Sequence, residues 1–136
     1  MQQRPTLLDT DILAELLKQH PIVTQRTRFY LSEHEHPTFS IITRYELLRG
    51  LLAKQAVAQV AAFDSFCPSC IILPLTNPIV DRAAKLYADL YQRGALVPDA
   101  DLLIAATALE SQLVLATNNV SHFQRIPELA MENWKS

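Results

Sequence analysis

No stretch of this 136-residue chain approaches the roughly 20 consecutive apolar residues of a membrane-crossing helix, so no bilayer-spanning segment is expected. The opening Met1-Gln2-Gln3-Arg4-Pro5 lacks the basic-then-apolar layout of a secretory leader, which points to a cytoplasmic protein. Positive charge is not in excess either. Twelve Lys and Arg against 14 Asp and Glu leave a formal net charge of −2, so no global basic field marks a nucleic-acid binder, and any such partner must be held by a local patch. Cysteine occurs only at Cys67 and Cys70, a C-x-x-C around Pro68 and Ser69. It has no second cysteine pair and no nearby histidine, and it precedes an apolar run instead of leading from a strand into a helix. It therefore reads as two ordinary cysteines in a helix-to-strand loop and not as a redox pair or half a zinc site. Glycine is scarce as well: Gly50 is expected to mark a kink or close packing, and Gly94 a helix end. With no repeat, low-complexity tract or linker, residues 1–136 are expected to form one domain with a single core.

What is present centres on Val97-Pro98-Asp99-Ala100-Asp101-Leu102-Leu103-Ile104-Ala105-Ala106-Thr107-Ala108. Beyond Asp101 almost every residue to Leu109 is apolar, and a helix with no polar stripe has to lie inside a protein. Two carboxylates stand at its mouth, where free N–H groups and the helix dipole favour negative charge. One could be a simple N-cap. Capping needs only one, and an acid pair against a buried helix repels unless a cation, a proton or solvent relieves it.

Taken in order, Thr6-Leu7-Leu8 reads as a short strand that ends at Asp9, before a helix through Ile12 to Lys18. Asp9-Thr10-Asp11 then sits at a strand-to-helix junction, where parallel sheets place ligands, although Asp9 or Thr10 could merely cap the helix and Asp11 serve as a first-turn acid. Pro21 starts a second helix that carries Arg26 and Arg28 and closes at Ser32-Glu33-His34-Glu35-His36-Pro37, where the H-x-H pair reads as solvated loop in preference to metal site. Thr38-Phe39-Ser40 reads as a strand, and Ser40 as the cap of a helix from Ile41 toward Leu52 with Arg44, Glu46 and Arg49. Glu46 fits a capping box with Thr43 or a surface pair with Arg44 or Arg49. A helix over Lys54 to Phe66, a strand over Ile71 to Leu75, and a helix from Asn77-Pro78 to Gly94 come next. After the central helix, Leu113 to Ala116 is a fourth strand ending in Thr117-Asn118-Asn119; a one-turn element over His122 to Pro127 and an edge strand within Glu128 to Trp134 complete the chain. Alternating strands and helices imply an α/β sandwich whose central parallel sheet is covered on both faces. Right-handed crossovers then bring Asp9, Asp101 and Thr117 to Asn119 to one edge of that sheet. Oxygen ligands from separate segments suit a hard cation such as Mg²⁺ or Mn²⁺, which can acidify a water and stabilise charge on phosphorus during phosphodiester hydrolysis.

Leu8-Asp9-Thr10-Asp11-Ile12-Leu13, then Ser40-x-x-Thr43-x-x-Glu46-Leu47-x-x-Gly50, then Asp101-x-x-Ile104-Ala105-Ala106-x-Ala108, and finally Ala116-Thr117-Asn118-Asn119-x-x-x-Phe123-x-Arg125-Ile126-Pro127, together resemble PIN-domain ribonucleases, in particular the VapC toxins of VapBC systems. The resemblance covers nearly the whole chain, including Glu132-Asn133-Trp134. It implies a PIN-like three-layer α/β/α sandwich in which Asp9, Glu46 and Asp101 hold Mg²⁺ or Mn²⁺. It also implies that Glu46 points into the site instead of capping a helix. Asp11, Asp99, Thr117, Asn118 and Asn119 would surround the ion as indirect, water-mediated contacts. Many relatives place a fourth acid where neutral Asn119 stands, so a second ion should bind more weakly. The family implies cleavage of tRNA or rRNA, a homodimer, and a VapB-type antitoxin that shields the acidic site. Arg26, Arg28, Arg44, Arg49 and Arg93 are the candidates for RNA contact if they gather at the cleft.

Two other readings stand beside this one. A phosphatase with Asp9 as nucleophile is suggested by strand-Asp-Thr-Asp-helix, which resembles the haloacid dehalogenase opening, but Lys54, Lys85 and Lys135 lie in no fitting motif. A non-catalytic PIN-like binding module, its site decayed at Asn119, is opposed by the three remaining carboxylates.

Overall fold

The computed structural model describes residues 3–136; Met1 and Gln2, on which the expectation about a secretory leader partly falls, lie outside the described residues. The elements run β1 (Thr6–Leu8), α1 (Thr10–Leu17), α2 (Pro21–Glu33), β2 (Thr38–Ser40), α3 (Ile41–Ala53), α4 (Val57–Phe66), β3 (Ile71–Leu73), α5 (Asn77–Gln92), α6 (Asp99–Glu110), β4 (Val114–Ala116), α7 (Val120–Phe123) and β5 (Met131–Glu132). The strands form one sheet in the order β3-β2-β1-β4-β5, every neighbouring pair parallel. β1 lies at its centre, with Thr6 beside Val114 and Leu8 beside both Ala116 and Phe39.

Because successive strand side chains point to opposite faces, each central strand feeds two cores. Leu7 and Leu115 enter one with Ile79, Leu86 and Leu90 of α5, Ile104 of α6 and Phe123 of α7. Leu8 and Ala116 enter the other with Ile12, Val23, Leu47, Phe63 and Trp134. The expected three-layer sandwich is the observed one. Helix α6 is the interior element its composition demands: Leu102, Ile104, Ala105, Ala106, Thr107 and Ala108 are buried. The hydroxyl of Thr107 donates to the Leu103 carbonyl at 2.7 Å, so no donor is stranded there.

The shortage of glycine has a structural counterpart. Helices α1, α3 and α6 are followed by Gln19, Gln55 and Gln112 at φ 61°, 55° and 57°, the left-handed turn that Gly94 makes after α5 at φ 64°. Gln55 is why α4 begins at Val57 and not at Lys54. At Gly50, inside α3, an added Cβ would meet nothing within 4 Å, so close packing does not require that glycine. β3 is an edge strand that ends before Pro74, and Ile71 is largely exposed.

Candidate active site

Three elements deliver carboxylates to the C-terminal side of the central strands. Asp9 follows β1 directly, is buried at 5% exposure, and caps α1, its Oδ1 accepting the Thr10 N–H at 2.8 Å. Its Oδ2 accepts the Thr117 hydroxyl at 2.7 Å, across the β1–β4 pairing. Capping and site geometry are thus one arrangement at Asp9. Glu46 extends from α3, whose cap is Ser40, with its hydroxyl accepting the Ile42 N–H. Thr43 therefore lies within the first turn and forms no capping box with Glu46. Instead Glu46 Oε1 accepts the Thr10 hydroxyl at 2.7 Å, and Thr10 and Thr43 hydroxyls meet at 3.1 Å. Asp101 stands in the first turn of α6 behind Pro98, which offers no side-chain cap, so neither Asp99 nor Asp101 is an N-cap. Asp99 is exposed, whereas the Asp101 side chain is 14% exposed and its Oδ2 is 2.7 Å from His122 Nδ1.

Burial, then the charge of Asp11, and more weakly that of Asp101, push the Asp9 carboxyl up to about 8 from 3.8. Asp11 is raised too, chiefly by burial, against hydrogen bonds from the Asn118 N–H and from Asp9. The Asp11 Oδ2 accepts the Asn118 N–H at 3.0 Å, while its Oδ1 is buried with no hydrogen-bond partner. Among the described residues no three His, Cys, Asp or Glu side chains stand as a ready-made ligand group. A hydrated hard cation does not need one: Mg²⁺ keeps several waters and takes one or two carboxylates directly. An all-oxygen donor set, an orphaned carboxylate oxygen and an acid driven toward protonation by burial and by its acidic neighbours together fit such an ion.

The remaining polar candidates are linked to this group. Thr117 is fully buried and its Oγ1 accepts the Asn119 N–H at 2.9 Å. The side chain of Asn118 turns away to accept from Asn133 at 3.1 Å. Asn119 contacts His122 at 2.9 Å and no carboxylate, so it is His122 that reaches the acid edge. Thr10, Thr43 and His122 are the residues that sequence reasoning did not select. The S/T-rich flanks of Asp9 and Glu46 carried a signal for the first two. His122 carried only its place one residue before an apolar Phe123.

The five arginines have separate partners. Arg49 lies 3.8 Å from Glu46 and over the Tyr45 ring at 5.1 Å. Arg26 pairs instead with Glu132 at 3.7 Å and covers Trp134, and Arg93 pairs with Asp89 at 2.7 Å and donates to the Arg125 carbonyl. Arg44 neighbours Cys67, and Arg28 is exposed beside Thr24 and Gln25 in a groove at the start of α2. Arg26, Arg49 and Arg93 are thus paired with acids, and Arg49 alone of the three with a carboxylate of the cluster. The cysteines are free, and burial raises both thiols, Cys70 to about 11, which makes them poor nucleophiles. In the H-x-H segment, His34 bonds to the Gln3 carbonyl and stacks on Tyr30, and His36 bonds to the Ser69 carbonyl.

Comparison with known proteins agrees with this architecture. The chain is 30% identical over 129 residues to ribonuclease VapC2 of Rickettsia felis, covering 94% of this chain and 96% of that one. It is 30% identical over 131 residues to ribonuclease VapC1 of Methanocaldococcus jannaschii, covering 96% and 88%. The crystal structure of VapBC2 from Rickettsia felis, bound to a DNA fragment from its promoter, matches with a TM-score of 0.85 at 28% identity over 95% of this chain and 98% of that one. The PIN-domain profile spans residues 6–129, from β1 through α7. With a matching profile over that length and relatives covered nearly end to end, the chain belongs to the PIN-domain family, among the VapC ribonucleases.

Proposed function

We propose that this chain is a divalent-metal-dependent endoribonuclease toxin that hydrolyses phosphodiester bonds in RNA and is neutralised by a VapB-type antitoxin. The observation that carries the reading is the buried Asp9, pushed to about 8 beside Asp11 and Asp101 at the meeting of β1, α3 and α6. Membership among the VapC ribonucleases supports the nuclease activity, and the VapBC complexes supply the antitoxin as partner. Residues 1–136 act as one domain, as a homodimer in the cytoplasm; among the described residues no helix is long and apolar enough to cross a membrane.

In this reading Asp9, Glu46 and Asp101 hold Mg²⁺ or Mn²⁺. The ion supplies an acidified water and charge stabilisation on phosphorus. The protein supplies orientation. Thr10 ties Asp9 to Glu46, through its N–H to one and its hydroxyl to the other. Thr117 fixes the second oxygen of Asp9. Asp11, Asp99, Asn118 and Asn119 would shape the polar rim, and Arg26, Arg28, Arg44, Arg49 and Arg93 are the candidates to meet RNA phosphates. Splayed single-stranded or loop RNA is the form whose backbone and bases reach such a rim; tRNA and rRNA are the substrates proposed.

The test is incubation of total cellular RNA with the purified chain and Mg²⁺, Mn²⁺ or chelator, beside Asp101→Asn. Discrete fragments that need the ion and vanish in the variant are expected. Intact RNA together with no Mn²⁺ binding would leave a non-catalytic binding module as the better reading.

A further inference from the structure

Asp9 and Asp101 come from elements far apart in the sequence, yet one short run of chain connects them. From Asp9 Oδ2 the link passes to the Thr117 hydroxyl at 2.7 Å, then to the Asn119 N–H at 2.9 Å. It continues from the Asn119 carbonyl into the turn of α7, and from His122 Nδ1 to Asp101 Oδ2 at 2.7 Å. α7 has one turn only, but it is fastened: Phe123 is fully buried and Ile126 nearly so. The His122 ring is therefore delivered by a packed anchor and not by a free loop. A carboxylate can only accept, so Nδ1 carries the hydrogen toward Asp101. Asn119 then meets Nδ1 best through its amide oxygen, the two ends of an amide being interchangeable by a flip. The Nε2 of His122 has no hydrogen-bond partner among the described residues.

We propose that His122 is a positioning residue for Asp101: its Nδ1–H takes Oδ2 and so fixes the direction in which the other oxygen faces a divalent cation. The proposal rests on the metal-dependent reading above. Groups that orient a metal-binding carboxylate by hydrogen bonding affect metal affinity by about 10- to 100-fold when removed.

The test is Mn²⁺ titration by calorimetry of the full chain, wild type beside His122→Ala, His122→Asn and His122→Gln, with kcat and KM for RNA measured in parallel. The Asn amide reaches the place of Nδ1, while the longer Gln reaches that of Nε2. The expected result is an Mn²⁺ dissociation constant raised about 10- to 100-fold in H122A and H122Q and largely restored in H122N. kcat should follow the same order, with KM little changed. Where H122A folds poorly, the comparison of H122N with H122Q decides, since both keep a polar side chain on α7. Wild-type affinity in H122A or H122Q, or equal loss in H122N and H122Q, overturns the proposal. A wild-type chain that binds no Mn²⁺, or an Asp101→Asn variant that binds it unchanged, overturns the cation reading and this proposal with it.

Discussion

The two hydrophobic cores and the carboxylate rim between them obey opposite rules. In the cores, Leu7, Leu115, Ile104, Phe39 and Phe63 are fully buried among apolar neighbours, and every contact favours the folded chain. At the rim, Asp9 is buried almost as deeply but beside Asp11 and Asp101, where burial and like charge both oppose ionisation. The fold thus holds an unfavourable charge arrangement in place with the surplus from its two cores. Such strain persists only where its surroundings over-determine it, and it is a mark of sites made to receive something.

The contrast is broken most severely by removing a rim carboxylate. Asp9→Asn, Glu46→Gln and Asp101→Asn should each lower RNA cleavage by roughly 100-fold or more, several kcal/mol of transition-state stabilisation. The metal-free Asp9→Asn variant should stay folded and melt no lower than wild type, because the carboxyl whose ionisation burial and Asp11 oppose has gone. Cleavage kept in Glu46→Gln would return Glu46 to its role as the partner of Arg49. Core truncation should do the reverse: Leu115→Ala should cost about 2–5 kcal/mol in denaturant unfolding while the folded fraction keeps its metal affinity.

A smaller effect follows from proton linkage. The Asp9 pKa is higher folded than unfolded, so the native chain holds an extra proton between about 3.8 and 8. Its contribution to stability is full below that window and is lost as pH rises through it. The melting temperature of the metal-free protein should accordingly fall from pH 4 to pH 8, and Asp9→Asn should flatten that slope. Mn²⁺ should raise the melting temperature most at the alkaline end. Smallest of all, Gln112→Gly should stabilise by up to about 1 kcal/mol in chemical unfolding, as relief of the left-handed backbone outweighs the extra freedom of the unfolded chain. Replacing Cys67 and Cys70 by serine should leave cleavage unchanged.

How much of this could be read from the sequence depended on range. α6 was legible because a helix with no polar face can only be interior, and Asp9 because an apolar triplet followed by Asp-Thr-Asp marks a strand-to-helix junction. The helix ends at Gln19, Gln55 and Gln112 were not legible, since a left-handed turn at glutamine leaves no residue signature; only Gly94 announced its own. His122 was hidden for a different reason. Its contact to Asp101 spans 21 residues and is fixed by where Phe123 packs, a property of the assembled core and not of the local pattern. The partners of Arg26, Arg49 and Arg93 were not legible either, because charge composition does not say which acid each will find.

The order of the sheet has a consequence for timing. β1, the central strand, gains β2 as its neighbour once some 40 residues have been made, but β4 lies more than 100 residues downstream of it. Thr117, which orients Asp9, is synthesised directly after β4, and Asp101 only shortly before. A growing chain can therefore collapse half its sheet while its acidic cluster is still incomplete. The acidic cluster cannot assemble before Thr117 has been made, however early β1 and β2 pair.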